Sequence, residues 1–322
     1  MRAVYVKSFD ESEPLSGLEV GQRPEPDAPS GWKIVNVRAA SLNHHDLWAL
    51  KGVGLSRERL PMILGCDAAG IDEDGRPVVV HSVISGADWL GDETLDPSRT
   101  LLSELHQGTF AERVSVPARN LLPKPEQLSF EQAACLPTAW LTAYRMLFVK
   151  GRLQPGQTVL VQGAGGGVAS AAIALAHTAG LRVWATSRQE RKREFALECG
   201  ADEAFESGAK LPERVDAVME TVGAATWAHS LRSLRPGGRI VVSGATSGPN
   251  PPAELSRVFF LQHEVIGSTM GTREELQRLI SLCIQTGLRP HIDRVLPLEQ
   301  ADEAFAALQA GESLGKIVLS VA

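Results

Sequence analysis

Thr158-Val159-Leu160-Val161-Gln162-Gly163-Ala164-Gly165-Gly166-Gly167-Val168-Ala169 is the stretch that decides how this chain is read. A short, β-branched apolar run leads into a glycine-rich turn, and the alanine-rich stretch Val168–Ala179 follows. Strand, tight turn and helix in that order present free backbone N–H groups at a helix N-terminus to an anionic phosphate. The frame departs from a strict G-x-G-x-x-G: aligned on Gly166 and Ala169, its first position is Ala164 and its last is Ala169. Gly166 allows close approach of a pyrophosphate, and Ala169 still lets the helix pack tightly on a sheet. Ala164, Gly165, Gly166, Gly167 and Val168 are therefore the candidate pyrophosphate contacts. Glycine-rich turns also occur without a ligand, but the preceding strand and the small-residue helix favour a dinucleotide. The turn lies at mid-chain, so a whole domain precedes it, and a nucleotide-binding half joined to a separate substrate half points to an enzyme.

From Leu153 onward strands alternate with helices. Strands are expected at Thr158–Gln162, Leu181–Thr186, Val215–Glu220, Arg239–Ser243 and Val265–Thr269, and helices at Val168–Ala179, Glu190–Glu198, Thr226–Leu234 and Arg273–Thr286. That alternation predicts an α/β fold with a parallel, doubly wound Rossmann sheet covered on both faces. Before Arg119 the pattern is mostly β, with strands at Trp32–Ala39, Arg76–Ser82 and Ala111–Val116 between the turn-rich segments Pro24–Gly31 and Asp72–Gly75. Gly86–Gly108 is polar and aperiodic and reads as a long surface loop. The tail Asp293–Ala322 reads strand, helix, strand, and Lys316–Val321 is placed to return to the first domain. The resulting division is a β-rich domain over 1–118, a Rossmann domain over 119–290 and a C-terminal return over 291–322.

Composition excludes several function classes. At 322 residues two domains are the natural expectation, and 43% hydrophobic with 22% charged residues is ordinary for a soluble globular protein. A net charge of −6 argues against nucleic acid as the main partner. No apolar run approaches the ~20 residues of a membrane span, and Met1–Val6 reads as a first strand and not as a signal peptide. The four cysteines, Cys66, Cys135, Cys199 and Cys283, are scattered without a C-x-x-C pair, which fits a reducing, cytoplasmic setting.

The end of the second Rossmann strand bears on which dinucleotide binds. An acidic residue there accepts hydrogen bonds from the adenine ribose and selects NAD. This chain has Ser187-Arg188-Gln189-Glu190-Arg191-Lys192 instead. A hydroxyl followed by cations suits a 2′-phosphate, with arginine forming a bidentate, charge-assisted pair. Ser187, Arg188 and Lys192 thus read as an NADPH site, against the plainer alternative of a solvated helix start.

Several further motifs occur together and in order: Asn43-His44-His45-Asp46, Gly65-Cys66-Asp67-Ala68-Ala69-Gly70, Leu136-Pro137-Thr138-Ala139-Trp140-Leu141-Thr142-Ala143-Tyr144 and Gly315-Lys316-Ile317-Val318-Leu319. With the glycine turn, this set resembles the medium-chain dehydrogenase/reductase superfamily, and within it the zinc-independent quinone oxidoreductase-like branch, over nearly the whole chain. The resemblance implies a GroES-like catalytic domain, a Rossmann domain and an active site in the cleft between them. In zinc-dependent relatives three positions supply metal ligands; here they are Asn43, Cys66 and Thr138, one thiol among three, which is a poor set for catalytic zinc. Gly86–Gly108, where relatives carry four cysteines for structural zinc, has none. No metal is therefore expected, the alternative being a rearranged site using His44 or His45 with Cys66 and Asp67.

The resemblance also carries individual roles. His45 takes the position of a proton-relay hydroxyl, and a pKa of about 6.5 suits proton transfer near neutrality; its alternative is a histidine that binds a ribose or caps a helix. Asn43 and Thr142 are implied to lie near the nicotinamide, with Thr138 on the floor beside it. Gly244-Ala245 and Ser268-Thr269-Met270 are implied to run along it, and Asp46 to pair with Lys316, which also reaches the pyrophosphate. Trp48 and Trp140 are candidate walls for a planar substrate, or plain core residues. Without a Lewis acid, a simple ketone loses its main electrophile. A quinone or an enone delocalises the electrons onto an oxygen that one hydrogen-bond donor stabilises. The leading expectation is an NADPH-dependent reductase of such small conjugated acceptors. The alternatives are a zinc-dependent alcohol dehydrogenase with atypical ligands and a non-catalytic NADPH-binding protein. Finally, Val258–Gly271 reads as an apolar edge element that relatives pair across a two-fold axis, implying a homodimer with Phe259 and Phe260 near the interface.

Overall fold

Val35, Val37 and Ala39 alternate with Asn36 and Arg38, and in a computed structural model covering residues 1–322 this alternation makes Trp32–Ser41 a ten-residue strand with the apolar set inward. It is central to a seven-stranded sheet ordered Leu121–Pro123, Pro77–Val80, Asp67–Asp72, Trp32–Ser41, Lys316–Ser320 and Ile292–Pro297, with Arg113–Pro117 pairing to Trp32–Ser41 off that path. A second sheet orders Leu18–Gln22, Arg2–Val6 and Met62–Ile63. The core between these strands includes Val4, Val6, Leu64, Phe110 and Phe305, with the last two rings edge to face at 6.0 Å. Helix Ala301–Ala310 contributes Ala304, Phe305 and Leu308, and Lys316–Ser320 then runs antiparallel to Trp32–Ser41, the expected return of the tail.

The other unit is a six-stranded, wholly parallel sheet ordered Glu203–Phe205, Arg182–Thr186, Thr158–Val161, Val215–Glu220, Leu234–Val242 and Glu264–Gly267. Helices Gly167–Thr178, Glu190–Glu198 and Ala224–Ser233 connect its strands, as alternation predicts. The run Val168–Ala179 is small-sided because Ala171, Ala172, Ile173, Leu175 and Ala176 are buried against the sheet. A polar network ties three strand ends together. Gln162 reaches His229 at 2.9 Å and Ser230 at 3.0 Å and meets the Thr186 hydroxyl. The buried Glu220 accepts from Val222 N, Gly223 N, Thr226 and Ser230 at 2.6–3.0 Å.

The chain divides differently from the sequence expectation. One unit comprises 1–139 and 270–322, the other 140–269, in place of 1–118, 119–290 and 291–322. The reason is packing. Leu121–Pro123 pairs with Pro77–Val80, Phe130–Ala134 packs on Trp32–Ser41 and Asp67–Asp72, and the Gly271 carbonyl and Arg273 side chain bond to His81 and the Arg119 carbonyl. Gly86–Gly108 is also more than a surface loop. It holds the 3-10 turn Glu93–Leu95 and strand Thr100–Leu101, paired to Val83–Ile84, and buries Leu102 and Ser103. Val258-Phe259-Phe260 lies in a short helix, Leu255–Phe260, and not in an edge strand; the strand is Glu264–Gly267.

His81 yields a pH prediction. Its buried ring lies with Nε2 3.0 Å from the Gly271 carbonyl oxygen. Burial, with Arg273 adding to it, pushes its pKa down to about 4. A depressed histidine stabilises the fold fully above its unfolded pKa of about 6.5 and loses that contribution as pH falls through the folded value. Asp46, raised to about 6 mainly by burial, works in the opposite direction over an overlapping window. The difference between wild type and His81→Gln isolates the histidine. Thermal melts should show the wild type losing on the order of 3 kcal/mol relative to the variant between about pH 6.5 and 4. Parallel melting curves would contradict this.

Candidate functional site

In the catalytic unit the site is built around Asp67, the first residue of strand Asp67–Asp72 and fully buried. Gly65 makes the approach to it possible. Its φ is +95°, and a Cβ there would stand 2.5 Å from Phe110 and 2.6 Å from the Thr109 hydroxyl, so only glycine fits. Asp67 Oδ2 accepts from the Ser41 hydroxyl and the Asn43 amide, each at 2.8 Å, and Oδ1 accepts from Thr138 at 2.6 Å. The buried Lys316 Nζ donates to the Leu42 carbonyl and to Asn43 Oδ1, both at 2.6 Å, and lies 3.7 Å from Asp67 Oδ2. A buried carboxylate thus has three direct donors and a nearby cation, the arrangement such burial requires.

Asn43, Asp67, Thr138 and Lys316 are thereby brought together, and the pairing expected of Lys316 is corrected. Lys316 pairs with Asp67, and Asp46 instead completes the capping box of helix His44–Leu50, accepting from Asn43 N at 2.8 Å and from Gly65 N at 3.1 Å. His45, on that helix, is flanked on both ring nitrogens. Nδ1 lies 3.2 Å from Cys66 Sγ, and Nε2 lies 3.0 Å from Glu104 Oε1. Burial works against the imidazolium, but Cys66, Glu104 and Asp46 outweigh it and hold His45 well above its ordinary value. Burial works against the Glu104 carboxylate, but His45, the Leu101 N–H and the Thr100 hydroxyl outweigh it and hold Glu104 below the usual glutamate range. Glu104 was invisible to the sequence reading because a single carboxylate in a polar, aperiodic loop carries no spacing signal.

Zinc does not fit these donors. Asn43 and Thr138 are committed to Asp67 and Lys316, and the lysine ammonium already supplies positive charge at that point. The rearranged cluster brings in Asp46 where Asp67 was expected: ligand atoms of His45, Asp46 and Cys66 lie within 4.8 Å of one another. Both Asp46 oxygens already accept backbone N–H groups, which hold that carboxylate in the helix cap.

A dinucleotide does fit the Rossmann unit. Gly163 and Gly165 have φ of +74° and +113°, and helix Gly167–Thr178 starts at Gly166 with no side-chain cap. A Cβ on Gly166 would meet nothing within 4 Å, so this turn is open. Ala164 faces inward, its N–H bonded to the Thr186 carbonyl at 2.8 Å, so of the expected contacts Gly165, Gly166, Gly167 and Val168 remain the candidates. Ser187 is buried, its hydroxyl accepting from Gln189 N at 3.3 Å, and Arg188 and Arg191 are exposed beside it. Burial, then Arg188 and Arg191, push the Lys192 pKa down, so three cations crowd one strand end. An anion there relieves the crowding. The Ser268 hydroxyl oxygen is buried without a partner, Gly244 and Ala245 follow strand Leu234–Val242, and Thr269 is exposed. Thr142 is buried in the same unit, whereas Met270 belongs to the catalytic unit with φ +48°. Trp140 is 2% exposed and therefore a core residue and not a substrate wall, while Trp48 is 38% exposed.

Family models match in the order of these units. "Alcohol dehydrogenase GroES-like domain" covers residues 29–126 and "Zinc-binding dehydrogenase" covers 167–285. The acryloyl-coenzyme A reductase of Metallosphaera sedula is 31% identical, covering 99% of this chain and 100% of that protein. An alcohol dehydrogenase of Geobacillus stearothermophilus is 29% identical over 100% of each. The crystal structure of an NAD-dependent alcohol dehydrogenase superposes with a TM-score of 0.92 at 34% identity, covering 100% of both chains. With both domain models matched in order and a relative of this identity spanning it end to end, the chain belongs to the medium-chain dehydrogenase/reductase superfamily and is an oxidoreductase.

Proposed function

We propose that the protein is an NADPH-dependent reductase of α,β-unsaturated carbonyl compounds or quinones that works without a metal. The observation that carries this reading is the hydrogen-bonded cluster of Asp67, Asn43, Thr138 and Lys316, which commits Asn43 and Thr138, two of the three positions that supply metal ligands in zinc-dependent relatives. The acryloyl-coenzyme A reductase among the relatives supports a conjugated acceptor. The dinucleotide, held by Gly165, Gly166, Gly167 and Val168 with its 2′-phosphate at Ser187, Arg188 and Lys192, supplies hydride when bound. Asn43, Thr138 and Lys316 hold a fixed polar surface, and His45 carries the proton at Nε2 that the reduced acceptor takes up. Four free cysteines accord with a reducing, cytoplasmic setting, and no helix is long and apolar enough to cross a membrane.

The metal-free part is tested by oxidation of NADPH with a panel of enones, enoyl thioesters and quinones before and after exhaustive chelation. Activity should be unchanged. Loss on chelation and recovery with zinc would move His45, Asp46 and Cys66 into a metal site and overturn the reading.

Cofactor choice rests on a different set of residues. Loss of one charge-assisted hydrogen bond costs about 1.5–3 kcal/mol. Arg188→Ala should therefore raise the Michaelis constant for NADPH roughly tenfold or more and leave that for NADH nearly unchanged. Equal effects on both cofactors would remove the 2′-phosphate assignment.

The assembly proposed is a homodimer. Glu264–Gly267 is the last strand of its sheet, paired on one side only, and Phe259 and Phe260 beside it are 69% and 79% exposed. Light scattering at micromolar concentration should give twice the chain mass of 34.6 kDa. A monomer mass would refute the pairing.

A further inference from the structure

The pairing of strand Arg182–Thr186 continues one residue past its end, because Ser187 N donates to the Phe205 carbonyl at 3.1 Å. The Ser187 carbonyl is held from the other side: Arg193 Nη1, at the start of helix Glu190–Glu198, donates to it at 2.9 Å. Ser187 itself is buried, and its hydroxyl oxygen accepts from Gln189 N at 3.3 Å. The Ser187–Arg188 peptide is trans, so its carbonyl oxygen and the Arg188 N–H point in opposite directions. Holding the oxygen against Arg193 therefore turns that N–H away from Arg193, and it makes no hydrogen bond within the chain. The cations here also run against local preference. Arg191, Lys192 and Arg193 stand in the opening of a helix, at the end where its dipole disfavours positive charge, and Gln189 at the N-cap makes no side-chain cap bond. Such a break with local preference is expected at a binding site.

We propose that Arg193 is a positioning residue for the adenosine 2′-phosphate: by fixing the Ser187 carbonyl it makes the Arg188 N–H a donor to that phosphate, alongside the Ser187 hydroxyl and the Arg188 guanidinium. The proposal deepens the NADPH reading and rests on it. Arg193 acts through one peptide unit and without touching the phosphate. It is partly buried, whereas Arg188 is exposed and supplies charge directly. Releasing the Ser187 carbonyl harms phosphate binding in two ways. The N–H donor turns away, and an acceptor oxygen is free to face the anion in its place. The pyrophosphate candidates Gly165, Gly166, Gly167 and Val168 follow a different strand, Thr158–Val161, so the effect is confined to ligands that carry the 2′-phosphate.

The test uses the whole protein and measures its affinity for 2′,5′-ADP and for 5′-AMP by isothermal titration calorimetry. The two ligands differ only in the 2′-phosphate, and neither requires turnover. The wild type should prefer 2′,5′-ADP. Arg193→Met removes the donor while keeping good helix propensity at a partly exposed position. It should weaken 2′,5′-ADP about three- to tenfold, the worth of one net hydrogen bond, and leave 5′-AMP unchanged. Arg193→Lys, which keeps one donor of similar reach, should recover part of the loss. Salt separates geometry from charge. The loss of a charge acting at a distance is screened at about 0.5 M sodium chloride, whereas the loss of a peptide orientation persists. An unchanged preference in folded Arg193→Met overturns the proposal. So does equal weakening of both ligands, which marks a purely structural arginine, and so does a difference that vanishes in high salt. Arg193→Gln, whose side chain is shorter, repeats the test with the same expected result where the methionine variant does not fold. A wild type without preference for 2′,5′-ADP overturns the NADPH reading itself, and the proposal with it.

Discussion

Removing the carboxylate of Asp67 from water is the constraint on which the polar centre of the catalytic unit depends. An ionised group in that position is tolerated only when it is surrounded by donors and charge. Ser41, Asn43 and Thr138 each provide one hydrogen bond, and the Lys316 ammonium stands 3.7 Å away. These donors come from four separate places: the end of strand Trp32–Ser41, the N-cap of helix His44–Leu50, the wide π-helical turn Leu136–Trp140 and the start of the last strand. The carboxylate therefore fastens the C-terminal return to the front of the chain.

An ammonium is a weaker electrophile than a divalent ion, and here its protons are directed to Leu42 and Asn43. In the proposed reading, a simple ketone gains little from such a site. A conjugated acceptor needs less, because its own π system spreads the incoming charge to an oxygen. The same economy governs the loop Gly86–Gly108. Asp92 accepts from Thr94 N at 2.9 Å, and Asp96 accepts from Ser98 N at 2.8 Å and Gly86 N at 2.7 Å, Asx-type turns that order the segment by backbone hydrogen bonds. Ordering that loop is what carries Glu104 to a fixed place.

Much of the fold was legible because its signals are local. Helices Glu190–Glu198 and Arg273–Thr286 run over the expected residues, the second with the capping box Thr272–Glu275 and Gly287 at its end. Short, mostly apolar parallel strands were equally plain at Thr158–Val161 and Val215–Glu220. What was not legible depends on distant partners. Phe259 and Phe260 have the β-propensity of a strand yet sit in a helical turn, because the neighbouring Glu264–Gly267 takes the sheet edge. The unit boundary at 139 and 140 follows from pairing and packing of Leu121–Pro123 and Phe130–Ala134, which composition does not encode. In the site, Asn43, Thr138 and Lys316 were reachable through motifs, whereas the exchange of Asp46 for Asp67 as the partner of Lys316 turns on side-chain direction.

The Rossmann unit separates two tasks that its sequence interleaves. Gln162, Thr186 and Glu220 end three adjacent strands, and their buried network, with His229 and Ser230, fixes where the glycine turn and the second strand stop. None of these groups is available to a ligand. The next residues outward lie outside that network: buried Ser187 adjoins exposed Arg188 and Arg191 and the half-buried Lys192. Lys192 also lines the turn: a Cβ on Gly165 would stand 2.6 Å from its Cδ, so its stem lies against the same glycine that shapes the phosphate cradle. The cation that burial and its neighbours disfavour is thereby held at the one place where a second phosphate would favour it.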